Sequence, residues 1–268
     1  MILVPSTASS IETFHLQFAR LLWAGPDKDC FVVKGGCNLR FFFESIRYSE
    51  DIDFDFSDRV PVHALKDRVA RILGGPPLTL TLRNRGLRLN GITAPKQTET
   101  TQRWKVGLSL DGHPVPFPTK IEFSRRGTDD EAVLEPISPS VLAEHQCMQF
   151  LATHYPLAAA VRQKVTALAD RREVQARDVF DLGAVLIPRT GGATDLLRPV
   201  SSRVEAAMER AMTLTFADYE AQVVSYLHPD HADSFGSREA WDALQTQVVE
   251  YLDGALTHER GAGRGPDR

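Results

Sequence analysis

No apolar run in these 268 residues reaches the roughly eighteen that a helical membrane span needs. The opening MILVPSTASSIETF also has none of the basic residues that begin a secretory signal, so the expectation is a cytoplasmic protein with no membrane partner. Cysteine is scarce. Cys30, Cys37 and Cys147 are an odd number at spacings that match no zinc ribbon, which removes a disulfide framework and a structural zinc and leaves reduced thiols. Positive charge is not in excess: 31 Lys and Arg against 35 Asp and Glu give a net charge of -4, which excludes a chain built wholly around a polyanion but leaves room for a local basic surface. Internal repeats and low-complexity blocks are absent. What remains, with 43% hydrophobic and 25% charged residues, is the composition of a globular protein able to bury a core.

The first half mixes periods. Residues 9–24 carry Ile11, Phe14, Phe18, Leu21 and Leu22 at helical spacing behind a serine cap. CFVVKGG then reads as a short buried strand delivering a glycine turn, and CNLRFFFESI as a helix packed on a sheet. In DIDFDF, acid and apolar residues alternate, so Ile52, Phe54 and Phe56 share one face of a strand and Asp51, Asp53 and Asp55 the other. VPVHALKDRVARILGG predicts a helix stopped by Gly74 and Gly75. PLTLTLRNRGLRLNGI, TQRWKVGLSLDG and TKIEFS predict further strands. From residue 136 onward the 3.6-residue period takes over, predicting helices over 140–154, 157–171, 176–187, 201–213, 216–227 and 238–258. The expected fold is therefore α+β: a mixed sheet with helices over 1–135, an all-helical domain over 136–258, and a disordered tail over 259–268.

Two carboxylates two residues apart on a strand lie roughly 6 to 7 Å apart along the chain and point the same way, within reach of one or two divalent cations. Mg²⁺ favours carboxylate and water oxygens together with substrate phosphates, and such a site usually takes a third acid. Glu122 in TKIEFS supplies one if its strand neighbours Asp51 and Asp53. Gly35 and Gly36 let backbone N–H groups approach triphosphate oxygens at a helix start, where the helix dipole favours anions. Ser49, two residues before Asp51, faces the same side and offers a hydroxyl to a phosphate or a metal-bound water, or simply turns the chain into the strand. Asp55 is expected to stand outside the site, past its reach or paired with a basic side chain. An isolated Asp-x-Asp is a common surface pattern, and a calcium loop would need a sharp-turn glycine and a glutamate at the twelfth position that DIDFDFSD lacks. The order strand, Gly-Gly, helix, Ser-x-Asp-x-Asp and later strand acid is what favours a nucleotidyltransferase.

With these residues assembled, the chain resembles the AbiEii/MenT family of nucleotidyltransferase toxins, within the polymerase β-like nucleotidyltransferase superfamily. The family pattern of Gly-Gly, Leu-Arg and SEDIDF stands here as Gly35, Gly36, Leu39, Arg40 and Ser49-Glu50-Asp51-Ile52-Asp53-Phe54. A second match, 164-KVTALADRREVQARDVFDL-182, places Lys164, Ala167, Leu168, Arg171, Arg177, Asp178, Asp181 and Leu182. Cys37 departs from the pattern, where small hydroxyl or alanine-like residues are usual. The residues and the resemblance together give catalytic roles to Asp51, Asp53, Ser49 and Lys164, nucleotide binding to Gly35, Gly36, Arg40, Ser49 and Lys164, and metal ligation to Asp51, Asp53 and, from its strand placement, Glu122. As a point charge, Lys164 suits the charge developing on a leaving pyrophosphate, with Asp178 or Asp181 orienting it; the other reading is a salt-bridge network of little energetic weight.

The family further implies transfer of a pyrimidine nucleotide from an NTP to the 3′ end of tRNA, blocking aminoacylation. It also implies a cognate antitoxin, in some members one that phosphorylates the serine corresponding to Ser49. A phosphoserine there would repel the nucleotide phosphates. Arg83, Arg85, Arg88, Arg103, Trp104 and Lys105 offer cations and a stacking ring for single-stranded RNA, or a solvated strand edge. Two further classes stay open: a nucleotidyltransferase acting on a small molecule or a protein, and a module that binds nucleotide without catalysis.

Overall fold

The computed structural model describes residues 6–25, 27–125 and 131–262. The chain divides into two compact units, one of residues 1–44 and 48–155, the other of 45–47 and 156–268. The boundary falls at Tyr155 and Pro156, later than the change of sequence texture near 136, because the sheet takes one more strand, Leu151–His154, beyond that point.

In the first unit, α1 (Thr7–Trp23) starts one turn earlier than its apolar stripe suggests, with Ser6 Oγ accepting from Ser9 N at 3.1 Å. Then follow β1 (Phe31–Lys34), α2 (Gly35–Phe43), β2 (Asp51–Phe56), α3 (Val62–Gly74), α4 (Pro76–Arg83), β3 (Leu87–Gln97), β4 (Thr101–Leu110), β5 (Phe117–Ser124), β6 (Val133–Pro136), α5 (Pro139–Glu144) and β7 (Leu151–His154). Seven strands form one mixed sheet in the order β3-β4-β5-β2-β1-β7-β6. β2 runs antiparallel to β1 and parallel to β5.

The period-2 alternation of β2, β4 and β5 sends one face of the sheet into an aromatic core. Phe54 and Phe123 stack with centroids 4.8 Å apart, and Phe18 of α1 packs on Phe54 at 6.3 Å. Each such side chain contributes about 1.5 to 3 kcal/mol by burial, with ring pairing adding about 0.5 to 1.5 kcal/mol. This leaves Asp51, Asp53, Lys120 and Glu122 together on the opposite face.

Two elements differ from expectation. PPLTLTLR alternates like a strand but forms α4, because its prolines suit a first helical turn and Leu78 and Leu82, four apart, are the leucines that bury, while Leu80 stays 57% exposed. Residues 140–154 are not one helix. α5 ends at Glu144, Gln146 adopts a left-handed φ of 47°, and LATH pairs with β1 and β6 as β7.

The second unit is helical: α6 (Leu157–Asp170), α7 (Ala176–Phe180), α8 (Ile187–Thr190), α9 (Ser201–Met212), α10 (Phe216–Gln222), α11 (Ala232–Phe235) and α12 (Arg238–Ala262). A π-helical stretch, Asp181–Leu186, joins α7 to α8. Gly183 lies in it where an added Cβ would come 3.0 Å from the Leu244 side chain, so α12 packs closely on this glycine. Tyr219 stacks on Trp241 at 4.8 Å and touches Phe180, forming the centre of this core. The last helix runs into the segment expected to be disordered, covering 259–262; 263–268 lies outside the described residues. Among the described residues no helix is long and apolar enough to cross a membrane.

Candidate active site

The acids sit where strand register puts them. Asp53 is opposite Glu122 across the parallel β2–β5 pair and opposite Lys34 across β1–β2, while Asp51 is opposite Lys120. Arg103 and Lys105 on β4 stand opposite Glu122 and Lys120, and Lys96 on β3 opposite Arg103. One face therefore carries three carboxylates followed by a row of cations.

Two of the three acids are paired. Asp51 Oδ2 lies 2.6 Å from Lys120 Nζ, and Glu122 Oε2 lies 2.5 Å from Arg103 Nε. Asp53 has no hydrogen bond or ion pair among the described residues. Burial pushes its carboxyl above the usual range; Lys120 pulls it down and the Asp51 charge raises it again. The ligand atoms of the three acids do not all lie within 4.8 Å of one another, and Lys120 and Arg103 hold two of the carboxylates. A half-buried carboxylate without a partner, between two acids whose cations are displaceable, still fits a hard divalent ion.

α2 begins directly beside this patch. Lys34 is its N-cap and no side chain satisfies the first-turn amides, leaving a nine-residue helix open to an anion. Gly35 has φ +66°, which disfavours any side chain, and a Cβ there would lie 3.6 Å from Asp53 Oδ2. Ser49 is half-buried and its hydroxyl donates to Asp51 O at 2.8 Å, so its lone pairs remain for an incoming donor.

Beneath the strand start lies a neutral network that the sequence did not reveal. His15 Nε2 meets Thr119 Oγ1 at 2.7 Å, and Thr119 donates onward to Glu50 O at 2.7 Å. Burial pushes His15 down to about 3, so it stays uncharged. Cys37 is buried here, with Sγ 3.3 Å from Asp51 O, and packs against backbone rather than facing a phosphate.

Asp55 lies apart from the other aspartates, held by Lys34 Nζ at 2.5 Å and Tyr155 OH at 2.8 Å. Arg40, expected to bind nucleotide, is instead buried. Its guanidinium donates to Glu12 at 2.9 Å and to Glu144 at 2.5 Å. Glu12, Glu144 and His145 are the described cluster whose ligand atoms do converge. Arg40 supplies its counter-charge, and His145 Nε2 meets Glu12 Oε2 at 2.6 Å. Trp104, a candidate stacking ring, points into the core edge-on to Phe123. Arg85 donates to Gln146 O at 2.8 Å and Arg88 pairs with Asp111 at 2.9 Å.

The second unit holds its own charge cluster. Lys164 Nζ is 2.8 Å from Asp178 Oδ1 and 2.6 Å from Asp181 Oδ2, both acids being fully buried. Spacing left open which of the two meets the lysine; both do. Arg47 contacts Asp181 at 3.1 Å and Arg171 contacts Asp178 at 3.1 Å. Burial alone would raise Asp181, but Arg47 and Lys164 outweigh it and hold its carboxyl below the usual range.

A family model described as nucleotidyl transferase AbiEii toxin, type IV TA system, matches residues 18–260. No curated protein matches the chain. Among solved structures the chain is similar to JHP933 from Helicobacter pylori, with 19% identity and a TM-score of 0.61 over 97% of this chain and 98% of that one. It is also similar to MenT4, a nucleotidyltransferase toxin from Mycobacterium tuberculosis, with 18% identity and a TM-score of 0.59 over 92% and 84% of the two chains. At these identities the likeness is one of fold.

Proposed function

The chain belongs to the AbiEii nucleotidyltransferase toxin family, and on that footing we propose that it transfers a pyrimidine nucleoside monophosphate from an NTP to the 3′ end of tRNA, so halting aminoacylation. The observation that carries the catalytic part is the partnerless Asp53 carboxylate between Asp51 and Glu122, next to the uncapped start of α2. Mg²⁺ held by these three acids would supply the positive charge that activates the acceptor hydroxyl and steadies the leaving pyrophosphate.

The chain's own groups do the rest. The first-turn amides of α2, exposed by Gly35 and Gly36, receive triphosphate oxygens, and the Ser49 hydroxyl at the start of β2 donates to one once it turns from Asp51 O. His15 and Thr119, through Glu50 O, fix the backbone that presents Asp51. The acceptor oxygen then bonds to the α-phosphorus as the bond to pyrophosphate breaks. Lys164 is assigned the charge on the leaving group from family membership, with Asp178 and Asp181 fixing the position of its ammonium. Lys96 and Lys105, exposed on the same sheet face, favour a polyanionic acceptor such as RNA.

Family membership also implies an antitoxin partner. We assign Ser49 as the point at which such a partner acts by phosphorylation, since a phosphate there would occupy the triphosphate's place. The test is incubation with total RNA, Mg²⁺ and each labelled NTP separately. Label on tRNA from CTP or UTP is expected; label on a small acceptor alone, or on no RNA, refutes the tRNA reading.

A further inference from the structure

Two cations beside the acids have no part in the reaction as proposed. Lys120 faces Asp51 across β2–β5, and Arg103 faces Glu122 across β4–β5. Their ion pairs are short, 2.6 and 2.5 Å, yet all four side chains keep between 20% and 34% of their exposure. Ion pairs with that much access to water are weak and readily exchanged. The buried charge pairs of the chain differ. Asp55 is buried and held by two groups at once, and Lys164 is clamped by two fully buried acids. Exchangeable pairs therefore sit at the acid patch, on the side of it away from β1 and α2, with Asp53 bare in the middle.

Charge balance makes this arrangement useful. Three carboxylates side by side repel one another, and Lys120 and Arg103 neutralise two of them in the absence of a metal. A divalent ion that takes the same oxygens must expel both cations, which are then left without partners next to a second positive centre. A nucleoside triphosphate arriving with the ion brings oxygens enough to engage both.

We infer that Lys120 and Arg103 are placeholders: they occupy Asp51 and Glu122 in the metal-free protein, cede them to the divalent ion, and transfer to the phosphate oxygens of the incoming nucleotide. This rests on the metal reading of Asp51, Asp53 and Glu122. It makes metal and nucleotide binding mutually reinforcing, because each removes the cost the other would face alone.

The test uses the full chain and Mn²⁺ as the probe, its affinity measured by paramagnetic relaxation, together with the affinity for a non-hydrolysable NTP analogue at saturating Mn²⁺. Lys120→Met is expected to bind Mn²⁺ about three- to tenfold more tightly than wild type and the analogue about tenfold more weakly. Lys120→Arg, which keeps the charge, should stay within about twofold of wild type on both measures. Thermal melts of both variants establish that each is folded. Weaker or unchanged Mn²⁺ binding in folded Lys120→Met, or an unchanged affinity for the analogue, overturns the placeholder role. Asp53→Asn separates the two failures: if it binds Mn²⁺ as well as wild type, the metal reading itself falls and takes this inference with it. If Asp53→Asn abolishes Mn²⁺ binding while Lys120→Met fails to tighten it, only the placeholder role is lost.

Discussion

Replacing Asp53 by Asn should reverse the order of stability between variant and wild type according to whether metal and nucleotide are present. In the ligand-free protein Asp53 is a half-buried carboxylate with no partner, and its pKa is raised above the ordinary value by burial and by Asp51. A carboxyl raised on folding stabilises the fold fully below its unfolded value of about 3.9, and that contribution is lost as pH rises through the folded value. At neutral pH the wild type therefore carries a penalty that the neutral amide avoids. Leaving a partly solvated polar group uncompensated costs about 1 kcal/mol, which for a chain of this size is roughly 2 to 4 °C in Tm. Asp53→Asn should melt higher by that amount at pH 7.5, and the margin should narrow as pH falls toward 4. With Mg²⁺ and NTP at about a hundredfold excess over their dissociation constant, the wild type gains about 2.7 kcal/mol and the variant little, so the order inverts. Differential scanning fluorimetry across pH, with and without ligands, reads both signs. A variant less stable than wild type without ligands, or equal protection of both proteins with them, would falsify the argument.

Gly35→Ala puts a side chain at φ +66°, which costs about 1 to 2 kcal/mol of stability, and it should raise KM for NTP more than it lowers kcat because it distorts the open start of α2. Steady-state kinetics beside a melt checks the split; an unchanged KM refutes triphosphate binding at that turn. In the second unit, Asp181→Asn removes the buried carboxylate that Lys164 and Arg47 share, leaving Lys164 to Asp178 alone, and should cost about 3 to 5 kcal/mol in a urea titration. Because the Asp181 carboxyl is depressed on folding, its contribution is present above the unfolded value near 4 and lost as pH falls through the folded one, so the variant's deficit should shrink in acid. The His15 imidazole, pushed down to about 3, should show no titration in NMR spectra between pH 5 and 8, and a normal midpoint near 6.5 would remove the neutral network under β2.

Much of the fold was legible because two periodicities divide the chain. Alternation in DIDFDF and TKIEFS gave both the strands and the face on which their acids stand, and the glycine pair that ends CFVVKGG marked where α2 opens. It failed where local pattern and tertiary demand disagree. PPLTLTLR has a strand's alternation, but its prolines cannot donate within a sheet and its two buried leucines are a helical turn apart. LATH is too short to signal a strand by itself, and it pairs because β1 offers it an edge.

The site was legible in its acids and not in its counter-charges, and the reason is register. Asp51 and Lys120 are far apart in sequence and meet because β2 pairs with β5 in parallel, with Asp53 opposite Glu122. Slipping that pairing by one residue would set Thr119 or Ile121, from the buried face, against the acids and send Lys120 and Glu122 into the aromatic core. The stack of Phe54 on Phe123 forbids the slip, since those rings lock β2 to β5 from below. The same hydrophobic contact that stabilises the sheet therefore fixes which cation stands beside which carboxylate. The one hint in the sequence was Lys120 itself, two residues before Glu122 on the same face. A cation at that spacing from a strand acid gains meaning only once the acid's neighbour strand is known.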